Sequence, residues 1–416
     1  MRVLLTWELG LNLGHLTRLL PIAQQLKIDG HVVLVAVRDI QAATTVLGPA
    51  GISFVQASHL PQGIPLAHRA TGYADILLSQ GWSDRSALWG LTQGWIGLFQ
   101  LFLPDRLILD YSPTASLAAR IAKIPTTLIG NGFELPPLTY PLPAFPGFSW
   151  ASPEKAAQSE NIAVSTANSV LKAYKQPPIS ALRDLMTDPI TLFATFPELD
   201  HYGKRNDAQY IGPLLGHLNA SPLNWPEGEG PKIFACLRPD TSHVKEILTA
   251  LTTMAARVVC VASGFNSQQL ASFRKTHIRY SLEPVDLEPL LDANFCITYG
   301  AEGTIMRFLL AGVPQLISPW HVETFMAARR IEENHLGCEL TSISNQPKMS
   351  ALIERELGDP RLKENTSNFV LRHAGTRRRH SVDRVLSTLY GHPNTNKTEP
   401  PSSRVISDSN SRLEMV

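Results

Sequence analysis

The stretch that most constrains this chain spans residues 295–327, FCITYGAEGTIMRFLLAGVPQLISPWHVETFMA. It opens on an apolar β-type run, Phe295-Cys296-Ile297-Thr298, and continues through a glycine-bearing turn, Tyr299-Gly300-Ala301-Glu302-Gly303-Thr304. An apolar helical pattern then covers 305–311. Gly312-Val313-Pro314 stops it, and a second buried-type strand follows over 315–318. A strand feeding a glycine turn that opens a helix is a ready anion site. The first-turn N–H groups have no partner inside the helix, and the peptide dipoles favour negative charge there. Gly300 and Gly303 let a ligand approach the backbone closely, and Thr304 adds a hydroxyl. The pattern predicts a phosphate or diphosphate site at this turn.

Strand and helix patterns alternate on both sides of the stretch. Residues 2–6 read as a buried strand, and after the turn over 7–15 the apolar positions Leu16, Leu19, Leu20, Ala23 and Leu26 recur at helical spacing. Residues 32–37, VVLVAV, form a continuous apolar run of the kind found in parallel sheets covered on both faces. This βαβ unit lacks G-x-G-x-x-G, so it carries no dinucleotide fingerprint. Further strands are expected over 52–56, 107–110, 126–129 and 190–194, with helices over 114–122, 161–173 and 179–186.

Residues 1–213 read as a first domain, and 214–231 (LLGHLNASPLNWPEGEGP) have the composition of a linker. The alternation restarts over 232–372, with strands at 232–237, 258–261 and 278–280 and helices at 244–256 and 268–275. Residues 373–392 are expected to form a terminal helix able to pack back on the first domain, and the polar 393–416 to be disordered. The implied class is α/β: two Rossmann-like domains whose parallel sheets face each other across a cleft.

A chain of 416 residues accommodates two such domains. With 44% hydrophobic and 18% charged residues and a net charge of +1, it has no electrostatic footprint for nucleic acid. The short basic run at 376–379 reads as a solvated helix face. Four widely spaced cysteines, three of them in apolar runs, point to reduced thiols, a cytoplasmic protein and no zinc site. The most apolar later stretch, 88–103, is short and broken by Thr92, Gln93 and glycines, so it is not a membrane span. Peripheral contact with a membrane surface stays open. The tract 58–104 around it is too long to be a plain connection. Its Trp82, Trp89 and Trp95 either line an apolar acceptor pocket or belong to a helix pair packed on the core, and Phe133 is a further acceptor-side candidate.

At these residues the chain resembles a family. The turn 299–304, then Ala311-Gly312-Val313-Pro314, then Pro319-Trp320-His321-Val322-Glu323-Thr324, are similar to the donor-binding signature of GT-B glycosyltransferases of the UDP-glucuronosyltransferase and bacterial antibiotic-glycosyltransferase type. Gly14-His15-Leu16-Thr17-Arg18 resembles that family's acceptor-side opening, and Leu109-Asp110-Tyr111 the strand end carrying its catalytic aspartate. Four positions depart from the pattern. Tyr299 stands at the signature histidine, Ala301 at the second turn glycine, Arg307 at a ribose-binding glutamate and Thr324 at a terminal glutamine.

The resemblance implies an inverting, metal-independent transfer of a sugar from a nucleotide-diphosphate sugar to an acceptor hydroxyl, with no further cofactor. His15 then acts as general base and Asp110 fixes its tautomer, which suits an imidazole titrating near neutrality. The residue-level alternative is a helix-capping His15 and a turn-forming Asp110. On the donor side the resemblance implies Arg238, Leu282, Tyr299, Gly300, Ala301, Gly303, Thr304, Glu323 and Thr324, with backbone amides rather than a metal meeting the diphosphate charge. A non-catalytic nucleotide-sugar-binding protein is the alternative that the four departures support.

Overall fold

The structure is a computed structural model, described here for residues 1–11, 13–218, 220–340, 348–375 and 378–390. The disorder expected over 393–416 lies outside the described residues, as does part of the basic run at 376–379. The first sheet is built from β1 (Arg2–Trp7), β2 (Val32–Val37), β3 (Phe54–Gln56), β4 (Arg106–Asp110), β5 (Thr126–Gly130), β6 (Ile190–Phe193) and β7 (Gln209–Tyr210). Its order is β3-β2-β1-β4-β5-β6-β7. The second contains β8 (Lys232–Leu237), β9 (Arg257–Ala262), β10 (Ile278–Ser281), β11 (Phe295–Thr298), β12 (Gln315–Ile317) and β13 (Gly337–Glu339), in the order β10-β9-β8-β11-β12-β13. Every pairing in both sheets is parallel.

The continuous apolar runs read from the sequence are the central strands. Val3, Leu4, Leu5, Ile108 and Ile129 of the first sheet, and Ile233, Phe295 and Ile297 of the second, are fully buried because helices cover both faces. Each such side chain contributes about 1.5–3 kcal/mol through removal from water. The terminal helix Arg378–Tyr390 packs Val382, Val385, Leu386 and Leu389 into the same cluster as Val3, Leu16 and Ile22. The second half of the molecule is thereby strapped to the first sheet. Among the described residues no helix is long and apolar enough to cross a membrane.

Several elements differ from the sequence expectation. The helix expected from 161 starts at Pro153, with Ser152 accepting from the Lys155 N–H as its cap. The helix expected over 179–186 is confined to Asp184–Thr187. There the N–H groups of Ser180 and Ala181 are bonded to the Asp184 carboxylate, and that of Leu182 to Glu160. The helix expected over 268–275 is a short Ser267–Leu270 turn running into a 3₁₀ turn, Ala271–Phe273. The three-residue β13 was not anticipated.

In both sheets the strand order reverses once, between β1 and β4 and between β8 and β11. Open α/β sheets bind ligands at the carboxyl ends of the strands flanking such a reversal. The residues leaving β1, β4, β8 and β11 therefore define where a site is expected.

Candidate active site

In the register of the first sheet Trp7 pairs with Asp110, so β1 and β4 end side by side. The chain leaves β1 through Gly10 and re-enters a helix at Gly14–Ile28, which puts His15 in the first turn above the two strand ends. His15 Nδ1 lies 3.0 Å from Asp110 Oδ1, and both residues are buried. His15 is thus held by the carboxylate rather than serving as a helix cap. Its ring stacks on Trp7 with centroids 5.4 Å apart and faces Tyr111 at 6.1 Å. Gly10, at φ +87°, passes against the opposite nitrogen, and a Cβ at that position would lie 2.3 Å from His15 Nε2. Tyr111 holds φ 46°, a left-handed conformation costing a non-glycine residue roughly 1–2 kcal/mol.

Arg18, one helical turn beyond His15, shares its face. Its Nη1 donates to Asp110 Oδ1 at 2.8 Å and to Glu134 Oε1 at 3.1 Å. Glu134 follows β5 and also accepts from the Asn131 N–H at 2.7 Å. Burial pushes the His15 pKa down, but the Asp110 charge and hydrogen bond raise it by more, for a net upward shift. Burial raises the Glu134 carboxyl, and Arg18 with His15 outweighs it, so Glu134 is held below the usual carboxylate range. Ligand-type atoms of His15, Asp110 and Glu134 lie within 4.8 Å of one another. The Arg18 guanidinium, bonded to two of the three, is the resident cation of that cluster.

Across the gap, β11 leads through the turn to the helix Glu302–Leu310. The N–H groups of Glu302 and Gly303 make no hydrogen bond to the described residues, and a Cβ on Gly303 would meet nothing within 4 Å. The helix end is therefore open to an anion. Gly300, at φ +100°, presses on the next element, since a Cβ there would sit 2.7 Å from Thr324 Cβ. Glu302 points back to the first sheet, accepting from Arg18 Nη2 at 2.8 Å and from Asn131 Nδ2 at 3.1 Å. Asn131 Nδ2 also reaches Glu323 Oε1 at 3.2 Å. Burial raises the Glu302 pKa against the lowering effect of Arg18.

No family model matches the chain, and no curated protein matches it in sequence. Solved structures do match in shape. The spinosyn rhamnosyltransferase SpnG superposes with a TM-score of 0.66 at 16% identity, over 93% of this chain and 100% of its own. The same enzyme complexed with spinosyn aglycone gives 0.65 at 18% identity, over 93% and 100%. The glycosyltransferase SsfS6 of Streptomyces sp. SF2575, complexed with thymidine diphosphate, gives 0.61 at 16% identity, over 93% and 99%. Two parallel sheets with these counterparts along nearly the whole chain decide the architecture. The chain has the GT-B fold.

The GT-B cleft brings together some of the residues singled out in the sequence and leaves others apart. His15 and Asp110 share one wall, with Tyr299, Gly300, Ala301, Gly303, Thr304 and Glu323 on the other. Arg238 leaves β8 beside them, paired with Asp240 at 3.1 Å, its guanidinium 4.5 Å from the Trp320 ring centroid and 5.9 Å from that of Tyr299. Thr324 is buried, and its hydroxyl is a helix cap, accepting from the N–H groups of Trp320 and His321 and donating to the His321 carbonyl. Arg307, which stands at the family's ribose-binding glutamate, donates to the carbonyl of Gly216 at 2.6 Å and pairs with Glu288. It thereby ties the connection between the domains. Leu282 is exposed at the end of the edge strand β10, away from β8 and β11.

The tryptophans pack on the first-domain core. Trp82 and Trp95 are fully buried in the first-domain core, Trp82 donating to Thr114 Oγ1 at 3.1 Å, and Trp89 stacks on Tyr174. Phe133 is buried against Tyr111, Phe145 and His201. The residues that sequence reasoning passed over are Arg18, Asn131, Glu134 and Glu302. Arg18 alone carried a signal, its three-residue spacing from His15.

Proposed function

We propose that this chain is an inverting glycosyltransferase that moves a sugar from a nucleotide-diphosphate sugar to an acceptor hydroxyl without a metal ion. The observation that carries the reading is the His15–Asp110 pair on one wall of the cleft, facing an anion-ready helix end on the other. With Nδ1–H donated to Asp110, Nε2 is the nitrogen left to accept a proton. In the reaction Nε2 takes the proton of the acceptor hydroxyl as its oxygen bonds to the anomeric carbon. The bond from that carbon to the diphosphate breaks on the opposite face, inverting the centre.

Asp110 stabilises the imidazolium that forms. The departing diphosphate is met by the N–H groups of Glu302 and Gly303 and by the Thr304 hydroxyl. Arg18 and the raised pKa of Glu302 limit the repulsion that a carboxylate at this helix end exerts on the leaving group. Support also comes from the neighbours of like fold, among them SsfS6 and VinC in complexes with thymidine diphosphate and SpnG with its aglycone.

The test is turnover of a panel of nucleotide sugars and acceptors by the wild type and by His15→Ala. Loss of at least about a hundredfold in the variant is expected from removal of a general base; undiminished transfer by it removes the assignment. A second reading, nucleotide-sugar binding without catalysis, draws on Thr324 serving as a cap and on Glu302 occupying the phosphate turn. Calorimetric binding of a nucleoside diphosphate, with no transfer by the wild type to any acceptor, selects it.

A further inference from the structure

An open cavity of about 390 Å³ lies at the carboxyl ends of β1, β2 and β3. Its walls include Trp7 and Gly10, two of the residues packed on the His15 imidazole, together with Arg38, Gln41 and His59. The apolar crevice lined by Tyr73, Tyr111 and Glu134 measures only about 30 Å³. The cavity beside Trp7 is far larger, and its wall is polar.

Arg38 leaves β2 and is half-buried. Its Nη1 donates to the Glu8 carbonyl at 2.9 Å and to Gln80 Oε1 at 3.4 Å, while Nε and Nη2 make no hydrogen bond to the described residues. It forms no ion pair among them either. The nearby Glu8 carboxyl is fully buried and accepts from the N–H groups of Thr114 and Ala115. Burial pushes its pKa up to about 7, so its charge is partly suppressed at neutral pH. Asp39 also lines the cavity, but its carboxylate caps the following helix by accepting from the Ala42 N–H at 2.9 Å. His59 uses Nδ1 on the Ala57 carbonyl. The cavity thus holds a guanidinium with two unused donor positions and no paired carboxylate. A planar fork of donors of this kind matches the oxygens of a carboxylate or phosphate.

We infer that the acceptor of this enzyme carries an oxyanion, a carboxylate or a phosphate, that Arg38 binds in this cavity while the acceptor hydroxyl is presented to His15. The inference rests on the transferase reading and narrows its acceptor to hydroxyl-bearing acids. It departs from the apolar acceptor expected from the tryptophan-rich tract, whose rings are in the core.

The experiment is calorimetric titration, without donor, of phenylacetate, phenyl phosphate and the neutral phenylacetamide into the full-length protein. At least one anion is expected to bind about tenfold or more tightly than the amide, as a charge-assisted bidentate contact implies. The better-bound anion tells carboxylate from phosphate. Arg38→Gln should bring anion and amide to equal affinity, with Arg38→Lys between. Gln41→Glu, at an exposed wall position with no part in the Glu8 contact, should weaken the anion alone and serves if Arg38→Gln does not fold. Equal binding of anions and amide by the wild type, or anion binding indifferent to Arg38→Gln and Gln41→Glu, overturns the inference. Arg38-dependent anion binding in a protein that transfers no sugar leaves the cavity assignment standing and removes the transferase reading instead.

Discussion

Arg18 Nη2 lies 2.8 Å from Glu302 Oε2, so a single guanidinium joins the Asp110 and Glu134 carboxylates of one domain to the glycine turn of the other. Its side chain is almost wholly buried, and the surrounding carboxylates hold it fully protonated. Removing one partner of a buried ion pair leaves an uncompensated charge, a loss of about 3–5 kcal/mol. Arg18→Ala is therefore expected to lower the urea midpoint sharply. A variant as stable as the wild type shows that the cluster does not depend on its cation.

Glu302→Gln separates charge from shape. The amide keeps an acceptor for Arg18 and removes the anion from the helix end where the diphosphate is to sit. Since a like charge in the last few ångströms opposes a ligand, nucleoside diphosphate should bind the variant more tightly, by about threefold to tenfold. Calorimetry reads this directly. Weaker binding to Glu302→Gln identifies the carboxylate as a contact the ligand needs.

The pH dependence follows from His15. Its pKa lies above 6.5 because Asp110 outweighs burial, and the base works only when neutral. The rate, as kcat/KM, should fall as pH drops through a value above 6.5. The stability linkage runs the opposite way. A raised folded pKa contributes stability below the unfolded value that is lost as pH rises through the folded one. A pH–rate profile beside proton-detected titration of His15 checks both signs. An acid limb below 6.5 contradicts the assigned base.

The long apolar strands were legible because parallel sheets covered on both faces need continuous runs such as VVLVAV and RVVCVA. The glycine turn was legible because Gly300 sits at a positive φ against Thr324 and so marks itself in sequence. His15 and Asp110 were found at the ends of recognisable elements. Their juxtaposition was not in the pattern, because it depends on β1 and β4 being neighbours although the two residues stand 95 positions apart in sequence. Glu134 and Asn131 were invisible for the same reason, lying in a loop with no periodicity. Trp82 and Trp95 were ambiguous because an indole satisfies a core and a pocket equally well; only burial decides. β13 was missed because three residues are too few to show alternation.

Gly10→Ala probes the active geometry without touching a titratable group. A methyl would meet His15 Nε2 at 2.3 Å, and φ +87° disfavours any side chain. The left-handed strain alone costs about 1–2 kcal/mol. A displacement of the ring by about 1 Å should cost transfer on the order of a hundredfold. A melting curve and a rate measurement together distinguish the two effects. Unchanged turnover places the working nitrogen away from Gly10.

Thr324 gives the sharpest contrast between a cap and a ligand contact. Its hydroxyl accepts from two backbone N–H groups and donates to the His321 carbonyl, and no other polar group of the side chain remains for a sugar. Thr324→Val keeps the volume and removes the acceptor, leaving those N–H groups without it in a partly buried site, a loss of about 1–3 kcal/mol. Donor affinity should change by less than about twofold, since a cap acts on stability rather than on the ligand. Urea denaturation and a donor titration read the two quantities separately. A variant with wild-type stability and strongly weakened donor binding would return Thr324 to the sugar site that the family resemblance implies for it.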